Sequence, residues 1–411
     1  MRNIPLVLIS LTLTYAIIVL VMSRRRRPQV LPTNTGQFVV FLVPCLNEEK
    51  VIGRTIERLL SLPGPDFAVL VIDDASEDAT PDVVRSANPE RVWLLQRVLP
   101  NARKGKGAAL NNAVQYLETS GLLDGRNPDD VVICVVDADG RLGPTTLLEV
   151  MPHFRDPVVG AVQIGVRMYN ADENIVARMQ DIEFVVFTEI VQRARNVWGN
   201  AGMGGNGQFA RLSALRTLGP IPWTDYLTED LDLGLRILKR GWRNEFCATA
   251  FVHQQAVTDV KRLVRQRTRW FQGNLQCWGR LPMMIHSDLS LASAFDVCFF
   301  LLSCIAMMLL MGLTIAMIIG GIGRTIVGPR TPPPLGWKGV FWFWRTYAVA
   351  FGPSWAYTYV YWLRSPTERL RDCFKWCHMF QMFTFMWFFA GARAIVRQVR
   401  RQNGWSKTSR T

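Results

Sequence analysis

The stretch Val131-Val132-Ile133-Cys134-Val135-Val136-Asp137-Ala138-Asp139-Gly140 decides the reading of this chain. Six consecutive apolar residues, most of them β-branched, predict a strand buried on both faces, as in a parallel sheet. At its carboxyl end the run breaks into two acids separated by a small residue. If the extended geometry continues, alternation puts Asp137 and Asp139 on one side with Ala138 between them. In open α/β sheets, ligands sit beyond the carboxyl ends of the strands. Two carboxylates there suit a hard divalent cation, which can in turn hold a diphosphate. Asp and Gly are equally ordinary turn formers. The motif alone therefore leaves a metal site and a plain turn both open.

The sequence on either side supplies the context. Phe38 to Val43 is a second apolar run, ended by Pro44, and Phe67 to Ile72 a third, ended by Asp73-Asp74. Arg91 to Gln96 is a short fourth. Helical patterns lie between them: from Asn47-Glu48-Glu49 to about Leu60, from Pro81, and from Gly105-Lys106-Gly107 to about Leu117. This alternation predicts an α/β fold with a largely parallel sheet and helices on both faces. Further on, Gly160 to Val166 reads as a strand and Glu173 to Val197 as one long amphipathic helix. Gly199 to Gly207 holds five glycines and reads as a loop able to bring its backbone close to a ligand. Thr228-Glu229-Asp230 opens a helix ended by Gly241, and Trp242 to His253 is a last strand.

The chain has 411 residues, a net charge of +14 and 49% hydrophobic residues, concentrated at its two ends. Residues 4–22 carry no charge and are long enough to span a bilayer. Arg24-Arg25-Arg26-Arg27 follows at once, which places the middle of the chain in the cytoplasm. A secretory signal would have the opposite order of charge and apolar run. Beside a span, the arginine run fits anionic lipid better than nucleic acid, and no nucleic-acid partner is expected. Three more apolar, aromatic-rich segments fall near 291–319, 340–363 and 374–392. The eight cysteines form no CxxC pair and read as reduced thiols. The expected organisation is a membrane helix (1–23), a basic linker (24–37), the α/β domain (38–255), basic amphipathic helices lying along the membrane surface (256–290), a transmembrane or interfacial region (291–392) and a basic tail (393–411).

Acids recur at the ends of elements: Asp73 and Asp74, Asp137 and Asp139, then Asp230. A carboxylate after the second strand can bind ribose or a base. The central pair can hold a metal, and a third acid off the metal can act as general base. Turn residues and a helix N-cap are the structural alternatives. Lys104-Gly105-Lys106-Gly107 before a helix can hold phosphate oxygens, and it lacks the spacing of an ATPase loop. In Gln266-Arg267-Thr268-Arg269-Trp270, helical spacing puts Gln266, Arg269 and Trp270 on one face. That face suits a leaving diphosphate and a sugar or base; lipid headgroups are the alternative.

With these motifs in order, the chain resembles the membrane-bound, processive family-2 glycosyltransferases, the group of the cellulose, chitin, hyaluronan and poly-N-acetylglucosamine synthases. The matches are Pro44-Cys45-Leu46-Asn47-Glu48-Glu49, Val71-Ile72-Asp73-Asp74-Ala75-Ser76, Lys106-Gly107-Ala108-Ala109-Leu110-Asn111, Asp137-Ala138-Asp139, Thr228-Glu229-Asp230 and the Gln-x-x-Arg-Trp run ending at Trp270. The resemblance implies a GT-A fold, a nucleotide-sugar donor (a UDP-sugar), a divalent metal (Mg²⁺ or Mn²⁺) and inversion at the anomeric carbon. It implies Asp230, with Glu229, for catalysis, and Asp139 with Asp137 for the metal. The donor would meet Asn47, Glu48, Asp73, Asp74, Lys106, Asp137, Gln266, Arg269 and Trp270. The acceptor, a growing glycan or a lipid-linked sugar, would meet Gly205, Asn206, Gly207 and Trp270. The Gly204-Gly205-Asn206-Gly207 loop departs from the family's serine- or cysteine-containing form. Gly404-Trp405-Ser406-Lys407-Thr408-Ser409-Arg410 is similar to the tail of some synthases.

The expected function is elongation of a polysaccharide at the cytoplasmic membrane face, coupled to its export. A non-processive transferase acting on a lipid carrier and a non-catalytic nucleotide-sugar-binding subunit are the alternatives. Basic residues from Arg393 onward put the tail in the cytoplasm. Three full C-terminal spans would put it outside, so one segment should lie in the interface. Arg345 and Gly352-Pro353 nominate 340–363.

Overall fold

The apolar runs form strands, and their period-2 pattern explains why they are apolar throughout. In β1 (Phe38–Cys45), Val39, Phe41 and Val43 enter one core while Phe38, Val40 and Leu42 enter the other. A computed structural model describes residues 4–25, 36–327 and 336–402. Arg26, Arg27, most of the basic linker and the tail motif around Trp405 lie outside the described residues.

The N-terminal half follows the expected alternation. It runs α1 (Ile4–Ser23), β1, α2 (Ile52–Leu60), β2 (Phe67–Asp73), α3 (Thr80–Arg85), β3 (Val92–Gln96), α4 (Lys106–Thr119) and β4 (Val131–Val135). Helix α2 covers one face through Ile52, Ile56 and Leu59. Helix α4 covers the other through Ala109, Leu110, Ala113 and Leu117. Then come β5 (Arg141–Leu142), α5 (Thr146–Val150), β6 (Val159–Met168), α6 (Ile175–Val186), α7 (Arg193–Trp198), β7 (Gln208–Arg211), α8 (Leu212–Arg216), α9 (Glu229–Lys239) and β8 (Arg243–Gln254). After the sheet come α10 (Val260–Cys277), α11 (Leu281–Ile285), α12 (Leu291–Val327), α13 (Trp337–Leu363), α14 (Leu370–Thr384) and α15 (Met386–Val399).

Among the described residues the strand order is β3-β2-β1-β4-β7-β6-β8-β5. Strands β1 to β4 pair in parallel, but β7 lies antiparallel to both β4 and β6. The expected largely parallel sheet is therefore mixed. The reversal is made by the glycine loop. Gly207 sits at φ +67° and donates its N–H to Val135 O at 2.9 Å, which fixes β7 against β4. The loop expected over Gly199 to Gly207 ends where β7 begins, and β7 itself was not foreseen, because it is four residues long and starts and ends on polar side chains. Both are buried: Arg211 spends its guanidinium on the backbone carbonyls of Val159 (3.0 Å) and Phe154 (2.6 Å).

Two helices begin or break differently from expectation. Asn47 is left-handed at φ 54°, so Glu48 and Glu49 lie in a turn ahead of α2. Their N–H groups are taken by Thr80 Oγ1 (2.8 Å) and Asp78 Oδ2 (3.1 Å). The long helix expected over 173–197 is α6, a π-helical segment at Phe187–Gln192, and α7. The eight cysteines are free thiols, as expected. Among the described residues, Leu291–Ala316 and Leu370–Val399 are long and apolar enough to cross a membrane.

Candidate active site

A cavity of about 820 Å³ opens at the carboxyl ends of β1, β2 and β4. Of the residues singled out in the sequence, Glu48, Asp74, Lys106, Asp137, Asp139, Gly205, Asn206, Glu229, Asp230, Gln266, Arg269 and Trp270 all line it. Asn47, Asp73 and Gly207 do not. They shape the walls instead. Asp73 is 2% exposed and accepts from Ser76 N at 3.2 Å, which holds the turn after β2. Asn47 ties that turn to the end of β1: its N–H meets Ser76 Oγ at 2.9 Å and its Oδ1 accepts from Glu77 N at 2.8 Å. Asp74 turns into the cavity and is held by the Arg97 guanidinium and by Arg103 N–H (3.0 Å).

Beyond β4 the backbone is pinned so that both acids stay in the cavity wall. Ala138 is buried in the α2-side core, and its carbonyl accepts from Thr55 Oγ1 at 2.7 Å. Asp137 N donates to Asn206 Oδ1 at 3.2 Å. Asp139 Oδ2 receives Gln255 N at 3.4 Å. Gly140 is required here: a Cβ would lie 2.7 Å from Val136 Cγ1 and 3.1 Å from Asn206 Oδ1. The plain-turn reading of D-x-D is thus true of the backbone, and the turn also delivers two carboxylates.

Asp230 lies one residue inside α9, whose N-cap is Thr228, so it is not the capping residue. Its Oδ1 accepts from Leu231 N at 2.8 Å. Lys106, at the start of α4, reaches Asp137 Oδ1 at 2.7 Å and the carbonyl of Gly205. A Cβ on Gly205 would stand 3.2 Å from both Asp230 Oδ2 and Lys106 Nζ, a tight approach that a side chain would crowd. Burial pushes Asp230 above the usual carboxylate range, opposed by the Leu231 N–H and by Lys106 and Arg269. Burial, then the adjacent Asp230 charge, raises Glu229 to about 7. Burial would lower Lys106, but attraction to Asp137, Glu229 and Asp230 wins and holds it above the ordinary lysine value. The ammonium therefore stays charged between the two acidic groups.

Helix α10 closes the cavity. Gly273 presses on the start of α9, where a Cβ would meet Thr228 Oγ1 at 2.5 Å and Thr228 N at 2.7 Å. Gln276 accepts from Leu227 N at 2.8 Å. Gln266, Arg269 and Trp270 of this helix line the cavity together with Asp230, and the Arg269 charge acts on it. Arg267, which the sequence placed among the basic residues of a helix along the membrane surface, is wholly buried. Its guanidinium lies 4.0 Å from the Trp270 ring centroid and pairs with Glu183 on α6. Glu183 also accepts from Trp387 Nε1 at 2.7 Å. The sequence reading also missed the far wall, formed by Phe184, Phe187, Phe300, Met307, Met311 and Trp387. An acid inside the apolar run Ile182-Glu183-Phe184-Val185-Val186 was the available signal.

The donor set tests the expected metal. Asp137 and Asp139 offer hard oxygen ligands suited to Mg²⁺ or Mn²⁺. Among the described residues no group of three or more His, Cys, Asp or Glu could hold a metal ion. Asp137 and Asp139 are the two carboxylates that would hold such a cation, which would need oxygen ligands from outside the chain as well.

Comparison with known proteins agrees with this architecture. The model of a family described as "glycosyltransferase like family 2" matches residues 36–273. A β-monoglucosyldiacylglycerol synthase of Trichormus variabilis is 32% identical over 261 residues, which cover 62% of this chain and 53% of that protein. A poly-β-1,6-N-acetyl-D-glucosamine synthase of Staphylococcus aureus is 26% identical over 238 residues, covering 57% and 54%. The chain thus spans about half the length of the curated relatives it matches. A mannosyltransferase of Pyrobaculum calidifontis, solved with GDP-mannose and Mn²⁺, superposes at a TM-score of 0.62 with 17% identity, over 97% of this chain and 99% of that one. The GT-A fold with its mixed sheet is shared with that structure.

Proposed function

Because the chain belongs to glycosyltransferase like family 2, and so is a sugar transferase, we propose that it moves a single sugar from a nucleotide-sugar donor to the hydroxyl of a membrane lipid. One observation carries this: besides the acidic and basic side chains at the strand ends, the cavity is lined by a set of apolar ones. Among these, Phe300, Met307 and Met311 come from α12, a helix able to cross a bilayer. A polar headgroup can reach Asp230 while its chains stay among apolar side chains. The lipid-acting relatives at 32% identity support the same reading.

The proposed chemistry follows from the residues. Asp230 accepts the proton of the acceptor hydroxyl as that oxygen attacks the anomeric carbon; the bond to the donor phosphate breaks, inverting the centre. Burial suits Asp230 to the task, since a raised pKa makes a stronger base. Arg269, which also lines the cavity, supplies a cation for the departing diphosphate. Lys106 holds Asp137 and, through the Gly205 carbonyl, the loop beside the base. Asp137 and Asp139 would hold a divalent cation, whose chemistry is to neutralise the leaving phosphates.

Polymer elongation remains the second reading, favoured by Gln266, Arg269 and Trp270 in the cavity wall. Purified full-length protein should be offered a panel of nucleotide sugars with diacylglycerol, with a polyprenyl phosphate, or with no lipid, in Mg²⁺, Mn²⁺ or chelator, and the product sized. A lipid bearing one sugar is expected. A long lipid-free glycan would establish the polymer reading instead.

A further inference from the structure

Helices α14 and α15 pass the length and composition test for a membrane span, but their contacts describe a different object. We infer that Leu370–Val399 does not cross the bilayer and lies in the plane of the membrane surface, on the side of the catalytic domain.

The two ends and the middle of this segment are tied to the same domain. At its start, the α13–α14 connection is seated on β6, α6 and the π-helical segment. Arg364 pairs with Glu189 at 2.7 Å, Arg178 pairs with Glu368, and Arg167 reaches Ser365 Oγ at 3.2 Å. Along α14, Cys373, Trp376 and Phe380 pack on Met179, Ile182 and Val185 of α6. In the middle, Trp387 bonds Glu183. At the end, Arg397 donates to Gln272 Oε1 at 2.9 Å, and Gln272 Nε2 donates to the Gln402 carbonyl at 3.0 Å. Gln272 belongs to α10, whose next residue, Gly273, presses on Thr228 beside the proposed base. Thirty helical residues set across a membrane would part their ends by about 45 Å, beyond the roughly 30 Å hydrocarbon core. Here both ends bond to one domain.

The outward face identifies its partner as lipid. Phe374, Met379, Met382 and Phe389 are exposed, and Arg371, Lys375, Arg393 and Arg400 are exposed beside them. Apolar side chains flanked by cations suit an anionic bilayer surface. The surface is continuous with α12, since Phe388 meets Gly312 and Gly391 meets Met308. Helix α13 packs along α14, with Tyr347 Oη against His378 Nε2 at 2.9 Å and Ser354 Oγ donating to Gln381 Oε1 at 2.7 Å, and it ends on the catalytic domain through Tyr361, which donates to Asp181 at 2.9 Å. An interfacial position, expected at 340–363, is thereby inferred for 370–399; among the described residues 340–363 is not one of the helices long and apolar enough to cross a membrane. The cytoplasmic tail expected from its arginines is kept. This inference does not depend on the identity of the acceptor.

The test uses full-length protein, tagged after Thr411, in sealed inside-out and right-side-out vesicles. Antibody to the tag and trypsin are applied, with cleavage read by mass spectrometry. The tag, Arg371 and Arg400 should be reached only from the face that also exposes the α/β domain. A tag reached from the face opposite to the domain, or Arg371 and Arg400 reached from opposite faces, overturns the inference. A second arm replaces Met382→Lys and Phe389→Lys together. An in-plane helix lets both amines reach water, so membrane-bound yield should be unchanged. A several-fold loss of membrane-inserted protein would mean that the segment crosses.

Discussion

Gly273→Ala tests how the transferase couples its two halves. In the folded chain the added Cβ would lie 2.5 Å from Thr228 Oγ1, 2.6 Å from Thr228 Cγ2 and 2.7 Å from Thr228 N. The hydroxyl could rotate away, but the backbone nitrogen cannot. An ordinary contact needs about 3.5 Å, so α10 and the start of α9 must separate by roughly 0.8 Å. Arg269 and Trp270 ride on one of these helices and Asp230 on the other. A misplacement of about 1 Å can cost on the order of 10²-fold in rate, while overpacking of this kind costs about 1–3 kcal/mol of stability. The expected result is a folded, membrane-bound variant with turnover down by one to two orders of magnitude and donor binding nearly kept. Initial rates, with nucleotide affinity from calorimetry, measure the two separately. Unchanged turnover would refute the idea that this contact sets the distance between base and leaving-group cation.

Three further outcomes are expected. Asp230→Asn should lower turnover by about 10²–10⁴-fold with donor binding intact, and the acid limb of the wild-type rate profile should lie above the ordinary carboxylate range because burial raises this group; a near-normal rate would leave Asp230 as a helix-start residue alone. Glu229 is raised to about 7, so the folded state holds its proton more tightly than the unfolded state. Its stabilising contribution is present at low pH and is lost as pH rises through about 7. Glu229→Gln should therefore gain thermal stability over wild type as pH is raised from about 5 to about 8, and a pH-independent difference would refute the shift. Asp296 and Arg195 form a pair 1% exposed on each side, with Tyr15 and Asn200 also donating to Asp296. Asp296→Ala leaves a buried arginine without its counter-charge and should cost about 3–5 kcal/mol, read as a fall in Tm in detergent; a stability within experimental error of wild type would mean that the pair is solvated.

The sequence by itself determined the elements whose signal is local. Apolar runs such as Phe38–Val43 and Val131–Val136 announce strands because both faces are buried, and the positions of Asp74, Asp139 and Asp230 at element ends follow from the same pattern. Gln266, Arg269 and Trp270 could be put on one face by helical spacing alone, and they do line the cavity. Only the tertiary structure decided what depends on partners distant in the chain. The direction of β7 is set by its antiparallel pairing with β4 and β6 after the turn at Gly207, which no periodicity encodes. The apolar wall of the cavity joins Phe184 to Met307 and Trp387, residues that read singly as ordinary core or membrane positions. Hydropathy likewise cannot separate a crossing helix from one lying in the surface, since both are apolar over the same length. The distinction rests on ion pairs such as Arg364 with Glu189 and bonds such as Arg397 with Gln272, which exist only once the chain has folded back on itself.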